Sequence, residues 1–489
     1  MNNGNYTVLL VNPPADHLAG MDSEKANIRA SDFQCYPPIG ILYLAAQLKR
    51  DYPALKVIVK DYVVEKYDRK SFIDLLVKEK PFVVGITVFS VMLYDAIGIA
   101  RIIKETNKSI AVVAGGPHTA IFSRNTMEHA CIDYVCQGEG EKAFSTLVDN
   151  IFNGRPCAGI DNIWTKDGKS IVPPARCNII AYDNLEESPV IDYSLVEPKR
   201  YYHPFLHQGA GLINILSGRG CPFQCTFCNT AEKVYRPRKI QSVIDEIAVN
   251  IERFNIKNVY IMDDTFNITK ARIEEFAQAL IAKNMRISWA FRGRIETLDD
   301  SVLAIAKKSG LRHIALGIED FTDEGLQLIK KGTSIKKVKE VFSACRKHGV
   351  FTTANFIIGF PHNQDWNKQM RLAELIDELK PTTIQTAVLT LLPGSKIYDE
   401  ALSKGIIKGT EWEDHANNPS PSFVMPGWNG AMSVDDQFKI NSIINKRFYG
   451  RPGYLLKRLF EVRSMREFVI KARAGFNLLD SFVRQGKRH

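Results

Sequence analysis

Apolar and polar positions alternate along the chain in two long series. In the first, short aliphatic and β-branched runs at 8–11, 57–59, 82–89, 111–114 and 134–136 are separated by stretches of helical spacing such as 39–49 and 94–106. Runs apolar at every residue predict strands buried on both faces, and the amphipathic stretches between them predict a parallel sheet covered by helices. Five such units make a Rossmann-like, doubly wound domain with its ligand beyond the carboxyl ends of the strands. The second series starts near Gly211, with strands predicted at 212–216, 258–262, 286–291, 313–316, 353–358 and 383–389 and helices such as 242–254 and 271–283. Six repeats are too few for a closed eight-unit barrel and predict a partial (β/α)6 barrel of TIM type, whose chemistry sits at the strand C-termini.

Between the series, 156–205 is rich in Gly, Pro and polar residues and predicts an ordered linker with a small hairpin at Asp167-Gly168. Beyond about 400 the alternation gives way to loop containing Trp, Asn and Pro, and the chain ends in a helical region. The expected class is α/β, divided into 1–155, a linker at 156–205, a barrel at 206–400 and a C-terminal region at 401–489.

The chain has 489 residues, 45% hydrophobic and 24% charged, which excludes collagen-like, coiled-coil and mainly disordered chains. The start, MNNGNYTVLLVNPP, lacks a basic leader, and no run approaches the roughly 18 apolar residues of a membrane span, so a soluble cytoplasmic protein is expected. The net charge of +10 is unevenly placed. Residues 446–489 hold 12 Lys+Arg against 3 Asp+Glu, whereas the rest of the chain holds 52 and 51. In the tail, Pro452 opens one predicted helix and Ser464-x-x-Glu467 forms a capping box for another, whose apolar positions run from Met465 to Val483. Such helices pack on the barrel with a solvated basic face, or rest peripherally on an anionic membrane. Nucleic acid is not expected, because the basic stretch lacks separate aromatic stacking positions.

Nine cysteines, an odd number in a large chain, argue against a disulfide framework. Cys35, Cys131, Cys136, Cys157, Cys177 and Cys345 are scattered and read as small buried hydrophobes. Cys221, Cys225 and Cys228 form C-x3-C-x2-C directly after the first strand of the second series. No fourth Cys or His follows at zinc-finger spacing. Three thiolates suit a cubane iron–sulfur cluster with one iron open to chelate the amino and carboxylate groups of a methionine moiety. Other candidates fall at the strand ends: Asp263 and Asp264 in Met262-Asp-Asp-Thr-Phe266, Arg292 and Arg294 in Trp289-Ala-Phe-Arg-Gly-Arg294, and Glu319 in Gly317-Ile-Glu319. Ile358-Gly-Phe-Pro361 and Leu392-Pro-Gly-Ser395 end the fifth and sixth strands. A carboxylate after a strand serves equally well as a helix N-cap.

The triad, with Phe227 before its last Cys, resembles the radical S-adenosylmethionine superfamily. That resemblance implies a [4Fe–4S] cluster on Cys221, Cys225 and Cys228, and reductive cleavage of S-adenosylmethionine to a 5′-deoxyadenosyl radical. It also implies cofactor contacts from Phe227, Asp263, Asp264, Arg294 (with Arg292 as the alternative) and Glu319.

In the first series, Gly115-Gly116-Pro117-His118 follows the fourth strand and Gly138-Glu139-Gly140-Glu141 the fifth, while Thr87 and Ser90 follow the third. Glycines there admit a large planar or phosphate-bearing ligand, or merely make tight turns. Neither run is a G-x-G-x-x-G fingerprint. Together with Val11-Asn12-Pro13-Pro14, Tyr36-Pro37-Pro38-Ile39-Gly40 and Asp61, they resemble the cobalamin-binding domain of the cobalamin-dependent radical S-adenosylmethionine enzymes. The resemblance implies cobalamin contacts from Asn12, Pro13, Pro14, Pro38, Thr87, Ser90, Gly115, Gly116, Pro117, His118, Gly138 and Glu139. Asp16-His17 stand where many such domains place Asp-x-His-x-x-Gly, but one residue short, so His17 is read as non-ligating and His118 as a hydrogen-bonding group.

The resemblance further implies a C-methyltransferase, with methyl delivered from cobalamin to a substrate carbon radical. A non-methylating cyclase or carbon–carbon bond-forming enzyme with the same cofactors is the alternative. An external low-potential electron donor of flavodoxin or ferredoxin type is expected. Basic tails in this family accompany hopanoid, isoprenoid and tetrapyrrole substrates, so a hydrophobic small molecule or lipid is expected here.

Overall fold

The computed structural model describes residues 6–18, 35–178, 180–230 and 232–454. The two basic helices expected from Pro452 on lie, beyond Tyr454, outside the described residues. No helix among those described is long and apolar enough to cross a membrane. The chain divides into two compact units: residues up to Tyr201 together with Gly409–Met425, and Tyr202–Lys408 together with the residues from Pro426 on.

The first unit is built on a seven-stranded sheet in the order β2-β1-β3-β4-β5-β6-β7. β1 (Thr7–Asn12), β2 (Lys56–Asp61), β3 (Val83–Thr87), β4 (Ala111–Gly115) and β5 (Tyr134–Cys136) are parallel. Val8 pairs with Val57 on one side and Val83 on the other. Val8, Leu9, Leu10 and Val11 are all buried, as a central parallel strand requires. Leu9 and Val11 join the core made by helices Arg69–Glu79 and Leu93–Thr106. On the other face, Phe144 of helix Glu141–Phe152 crosses the sheet so closely that a Cβ on Gly85 would lie 3.2 Å from its ring and 2.8 Å from Leu10 Cδ2. The apolar run at 82–89 stops being strand at Thr87, where Val88 N turns to donate to Gly115 O (2.7 Å).

The stretch expected as a linker is largely built into this unit. β6 (Ile163–Asp167) lies antiparallel on β5, and it forms the expected hairpin with β7 (Ser170–Val172) around Gly168 at φ +57°. Beyond the hairpin, Tyr182, Tyr193 and Tyr201 anchor the chain to this unit. All three are buried, and the Tyr201 hydroxyl donates to Asp61 Oδ2 (2.9 Å). Sequence reasoning missed these anchors because single tyrosines in a Pro-rich stretch carry no periodicity.

The second unit holds six parallel strands in the order β15-β14-β13-β12-β11-β8. They are β8 (Ile213–Ile215), β11 (Asn258–Ile261), β12 (Ser288–Gly293), β13 (Leu311–Glu319), β14 (Phe351–Ile358) and β15 (Thr383–Val388). The short antiparallel pair β9 (Gly218–Arg219) and β10 (Arg236–Pro237) flanks the loop of the three cysteines. Most helices of this unit begin on side-chain caps, with Thr269, Asp299, Thr322, Ser334, Asp365 and Ser395 each accepting from a backbone N–H of the first turn; helix Ile240–Phe254, after Lys239, has none. This is the partial (β/α)6 architecture expected.

The region after residue 400 is more helical than the loss of alternation suggested. Helix Val434–Tyr449 buries Gln437, Ile440, Ile444 and Phe448 at helical spacing. Among the scattered cysteines, Cys35, Cys131, Cys136 and Cys345 are buried as expected, whereas Cys157 is half-buried and Cys177 exposed. The last two stand in segments without a core of their own to enter.

Candidate functional site

In the second unit, β8 ends at Ile215 and the chain enters the loop that carries Cys221, Cys225 and Cys228, all half-buried and all free thiols. The loop is fixed from behind. Ser217 donates from N to Asp263 Oδ1 (2.7 Å) and from Oγ to Asp263 Oδ2 (2.5 Å), and Arg272 Nη2 donates to Ser217 O (2.5 Å). Arg238 adds a bond to Leu216 O (3.0 Å) and pairs with the buried Glu246 (2.6 Å). Burial pushes the Asp263 carboxyl up to about 6, with the hydrogen bonds from Ser217 pulling the other way. Gly220 stands at φ +84°, and a Cβ there would lie 2.2 Å from Val234 O, so only glycine fits beside the first cysteine.

Each thiol has a polar neighbour. Cys221 Sγ lies 3.6 Å from Thr265 Oγ1, Cys228 Sγ 2.9 Å from Thr230 Oγ1, and Cys225 Sγ 3.4 Å from Arg294 Nη1. Arg294 is buried, lies over the Phe223 ring at 3.8 Å, and is held by Glu296 and by Lys331 O. Arg292 is exposed, so the structure brings Arg294 rather than Arg292 to the cysteines. Phe227 meets Phe360 edge-on at 5.8 Å. Glu319 ends β13 at φ +75°, with Oε1 3.2 Å from Lys331 Nζ. Asp263 and Asp264 part company: Asp263 is committed to Ser217, and Asp264 is exposed.

The donor set tests the expected cluster. Among the described residues, no three His, Cys, Asp or Glu side chains converge on a point where a single ion would sit, as a structural zinc site requires. A cubane asks for something else, because each thiolate takes its own iron. Three half-buried free thiols on one glycine-turned loop, with a guanidinium beside the second, meet that requirement. The residues present therefore fit a three-cysteine cluster.

Sequence reasoning passed over Ser217, Thr265 and Arg272, although Ser217 heads the run into the first cysteine and Thr265 follows Asp264. It also stopped one residue short of His362. His362 Nε2 donates to the buried Asp320 carboxylate (2.8 Å), which also accepts from Asn363 Nδ2 (2.9 Å) and from Thr322 N and Oγ1 (both 2.9 Å). The His362 ring stacks on Phe360.

In the first unit the expected contacts gather at the carboxyl ends of the strands. Asn12 Nδ2 donates to Asp61 Oδ1 (2.8 Å), so the amide nitrogen is committed within the fold, while Asn12 Oδ1 is buried with no hydrogen-bond partner among the described residues. Pro13 and Pro14 are buried, and Pro38 occupies the N-cap position of helix Ile39–Asp51. Gly116 stands at φ +112°, where a Cβ would lie 3.0 Å from Thr87 Oγ1 and from the Val88 backbone; close approach of β3 is reason enough for glycine there. Gly115 and Thr87 are half-buried beside it, and Pro117 is exposed. His118 N donates to Val88 O (3.1 Å), and His118 Nδ1 lies 2.8 Å from Ser90 Oγ. His118 Nε2 is buried with no hydrogen-bond partner among the described residues. Burial, followed by the nearby His415 and His129, lowers the His118 pKa to about 3, so the ring is neutral. Gly138 turns at φ +78°, and Glu139 Oε2 accepts from Ala181 N (2.6 Å). His17 is tied to Asp95 through Nδ1 (2.7 Å) and its backbone N (2.9 Å). The unpartnered His118 nitrogen among glycine turns at the sheet's carboxyl end fits a ligand there.

Comparison with known proteins accords with both geometries. Residues 27–148 match the B12 binding domain and residues 215–373 the Radical SAM superfamily. The chain is 28% identical over 445 residues to an uncharacterized methyltransferase of Pyrococcus horikoshii, covering 89% of this chain and 92% of that one. It is 27% identical over 375 residues to the anaerobic magnesium-protoporphyrin IX monomethyl ester cyclase of Rubrivivax gelatinosus, covering 75% and 66%. The radical S-adenosylmethionine methyltransferase TsrM of Kitasatospora setae, solved with cobalamin and a [4Fe–4S] cluster, shares the fold with a TM-score of 0.66 at 19% identity, over 82% of this chain and 78% of that one. With a B12 binding domain ahead of a radical S-adenosylmethionine domain, the chain has the domain pair of the cobalamin-dependent radical S-adenosylmethionine enzymes, and its cofactors are S-adenosylmethionine, a [4Fe–4S] cluster and cobalamin.

Proposed function

We propose that this enzyme is a C-methyltransferase acting on a hydrophobic small molecule of the isoprenoid-lipid or tetrapyrrole kind. The observation that carries the reading is the loop of three free thiols in a chain that also holds a B12 binding domain. Similarity to a methyltransferase over 92% of its length supports methyl transfer over other outcomes. When bound, the cofactors supply a 5′-deoxyadenosyl radical and a carried methyl group. Cys221, Cys225 and Cys228 hold the cluster. Arg294 presents a fixed positive charge beside Cys225, and Glu319 at the end of β13 and the exposed Asp264 after β11 offer carboxylates to the ammonium and hydroxyl groups of S-adenosylmethionine. Phe227 and Phe360 keep an apolar wall beside the thiols. In the first unit, Gly116, Gly138, Ser90 and His118 form the cobalamin loops. An external flavodoxin- or ferredoxin-type donor supplies the electron.

Anaerobic incubation of the reconstituted enzyme with S-adenosylmethionine, a reductant and candidate substrates tests the reading. S-adenosylhomocysteine and 5′-deoxyadenosine are expected together, and Cys225→Ala is expected to abolish 5′-deoxyadenosine. Product containing 5′-deoxyadenosine but never S-adenosylhomocysteine would instead favour a cyclase, the second reading that similarity to the protoporphyrin ester cyclase supports.

A further inference from the structure

The loops at the carboxyl ends of β3 and β4 are not completed by the first series alone. The chain leaves this unit at Tyr201 and comes back for residues Gly409–Met425 only after the last barrel strand. The returning helix Glu411–Asn417 lies against helix Thr119–Glu128. Three hydrogen bonds fasten it. His415 Nε2 donates to Ser90 O (3.0 Å), His129 Nε2 donates to Ala416 O (2.8 Å), and Asn125 Nδ2 donates to Asn417 Oδ1 (3.1 Å). His415 is buried, and Phe423 stacks on its ring with centroids 4.0 Å apart and planes 11° apart.

Carbonyl oxygens only accept, so His415 must carry its proton on Nε2, and so must His129. Ser90 is thus gripped twice, by its carbonyl through His415 and by its hydroxyl through His118 Nδ1. The same His118 ring has the buried Nε2 without a partner. Ser90 O also accepts from Leu93 N within the turn Ser90–Met92, so loss of the His415 bond would leave that carbonyl one donor short and loosen the hold on Ser90, whose hydroxyl meets His118.

We propose that the segment 409–425 is part of the cobalamin site, with His415 as a positioning residue that sets Ser90 and, through it, His118 against the corrin ring or its side chains. The family match for the B12 domain ends at residue 148, well before this segment. The proposal rests on cobalamin binding and not on methyl transfer, so the two stand or fall separately.

The test is hydroxocobalamin binding to the full-length protein, read as cobalamin retained after desalting and as a dissociation constant from the visible spectrum. His415→Ala is expected to weaken binding about tenfold, and His415→Gln, which keeps a donor near the Nε2 position, to remain within about threefold. Ser90→Ala is expected to weaken binding as well, and Ser90→Ala/His415→Ala by clearly less than the product of the single effects, because both act through one turn. Iron and sulfide content, which depends on the other unit, is expected to be unchanged. Wild-type affinity in His415→Ala, or full additivity in the double variant, overturns the proposal. Should His415→Ala fail to fold, Ser90→Ala decides the matter: weakened binding with unchanged iron content supports the proposal, and wild-type affinity overturns it. Wild-type protein that binds cobalamin yet makes no S-adenosylhomocysteine would remove the methyltransferase reading and leave this one standing.

Discussion

The cysteine loop of the barrel unit and the glycine loops of the sheet unit both present half-buried backbone at strand ends, but different groups stand behind them. Ser217, at the root of the cysteine loop, rests on the carboxylate of Asp263 and the guanidinium of Arg272. Ser90 and His118, at the tips of β3 and β4, rest on neutral imidazoles and on a segment more than 300 residues downstream. A buried charged brace is stiff, because removing one partner leaves the other uncompensated. A neutral brace gives up less when cut, yet it needs its partners kept unprotonated. Two devices that hold loops in similar places should therefore fail under different insults.

The strongest test cuts the charged brace. Asp263→Ala leaves Ser217 N and Ser217 Oγ without their buried acceptor and Arg272 without its nearby countercharge, at an expected cost of about 3–5 kcal/mol. Iron and sulfide per chain after reconstitution should fall far below the wild-type value. Asp264→Ala, at the exposed neighbour, should keep its cluster. If both variants load fully and lose only S-adenosylmethionine affinity, Asp263 is a cofactor contact and the contrast between the two regions collapses.

The same contrast explains what could be read from the sequence. The cysteine site was legible because its ligands sit within eight residues and its helpers end consecutive strands, so spacing alone orders them. The strands were legible because a parallel sheet buried on both faces leaves uninterrupted apolar runs. Asp263 was recognised as a site residue, but its carboxylate turns inward to Ser217, and no pattern along the chain reports which way a side chain faces. His415 was invisible for another reason. Its partner is 325 residues away, and a seven-residue helix in a stretch without strand–helix alternation has no period to betray it.

Acid separates the two braces by sign. His118 has its folded pKa lowered to about 3, against an ordinary value of 6.5. Below pH 6.5 the unfolded chain takes up a proton that the folded ring refuses, so the stability from this site is full above 6.5 and falls by about 2 kcal/mol between pH 7 and 5. Asp263 is raised to about 6 from 3.8, so the folded state takes up its proton first. The buried charge detracts most above pH 6, and acidification to pH 5 returns about 1 kcal/mol. In urea denaturation of the cofactor-free chain, His118→Gln should lose less stability than wild type between pH 7 and 5, and Asp263→Asn should lose more. Parallel pH curves for all three proteins would refute the assignment of neutral and charged braces.

Redundancy sets the smallest effect. Asp320 is buried like Asp263, but three side chains donate to it, those of Thr322, His362 and Asn363, whereas Asp263 accepts from the Ser217 side chain and from the backbone N–H groups of Ser217 and Gly218. Thr322→Ala removes one hydroxyl donor and the side-chain cap on Gly325 N (3.0 Å), while Thr322 N, His362 and Asn363 still satisfy the carboxylate. The expected loss is about 1 kcal/mol, the ordinary value of an N-cap, and Thr322→Ser should restore it because the hydroxyl returns. Iron content should match wild type in both variants, since neither touches Ser217 or Arg272. A loss near that of Asp263→Ala would mean that a buried carboxylate in this barrel is decisive however many donors it has. It would then be the carboxylate's burial, and not its dependence on a single side-chain donor, that makes Asp263 critical.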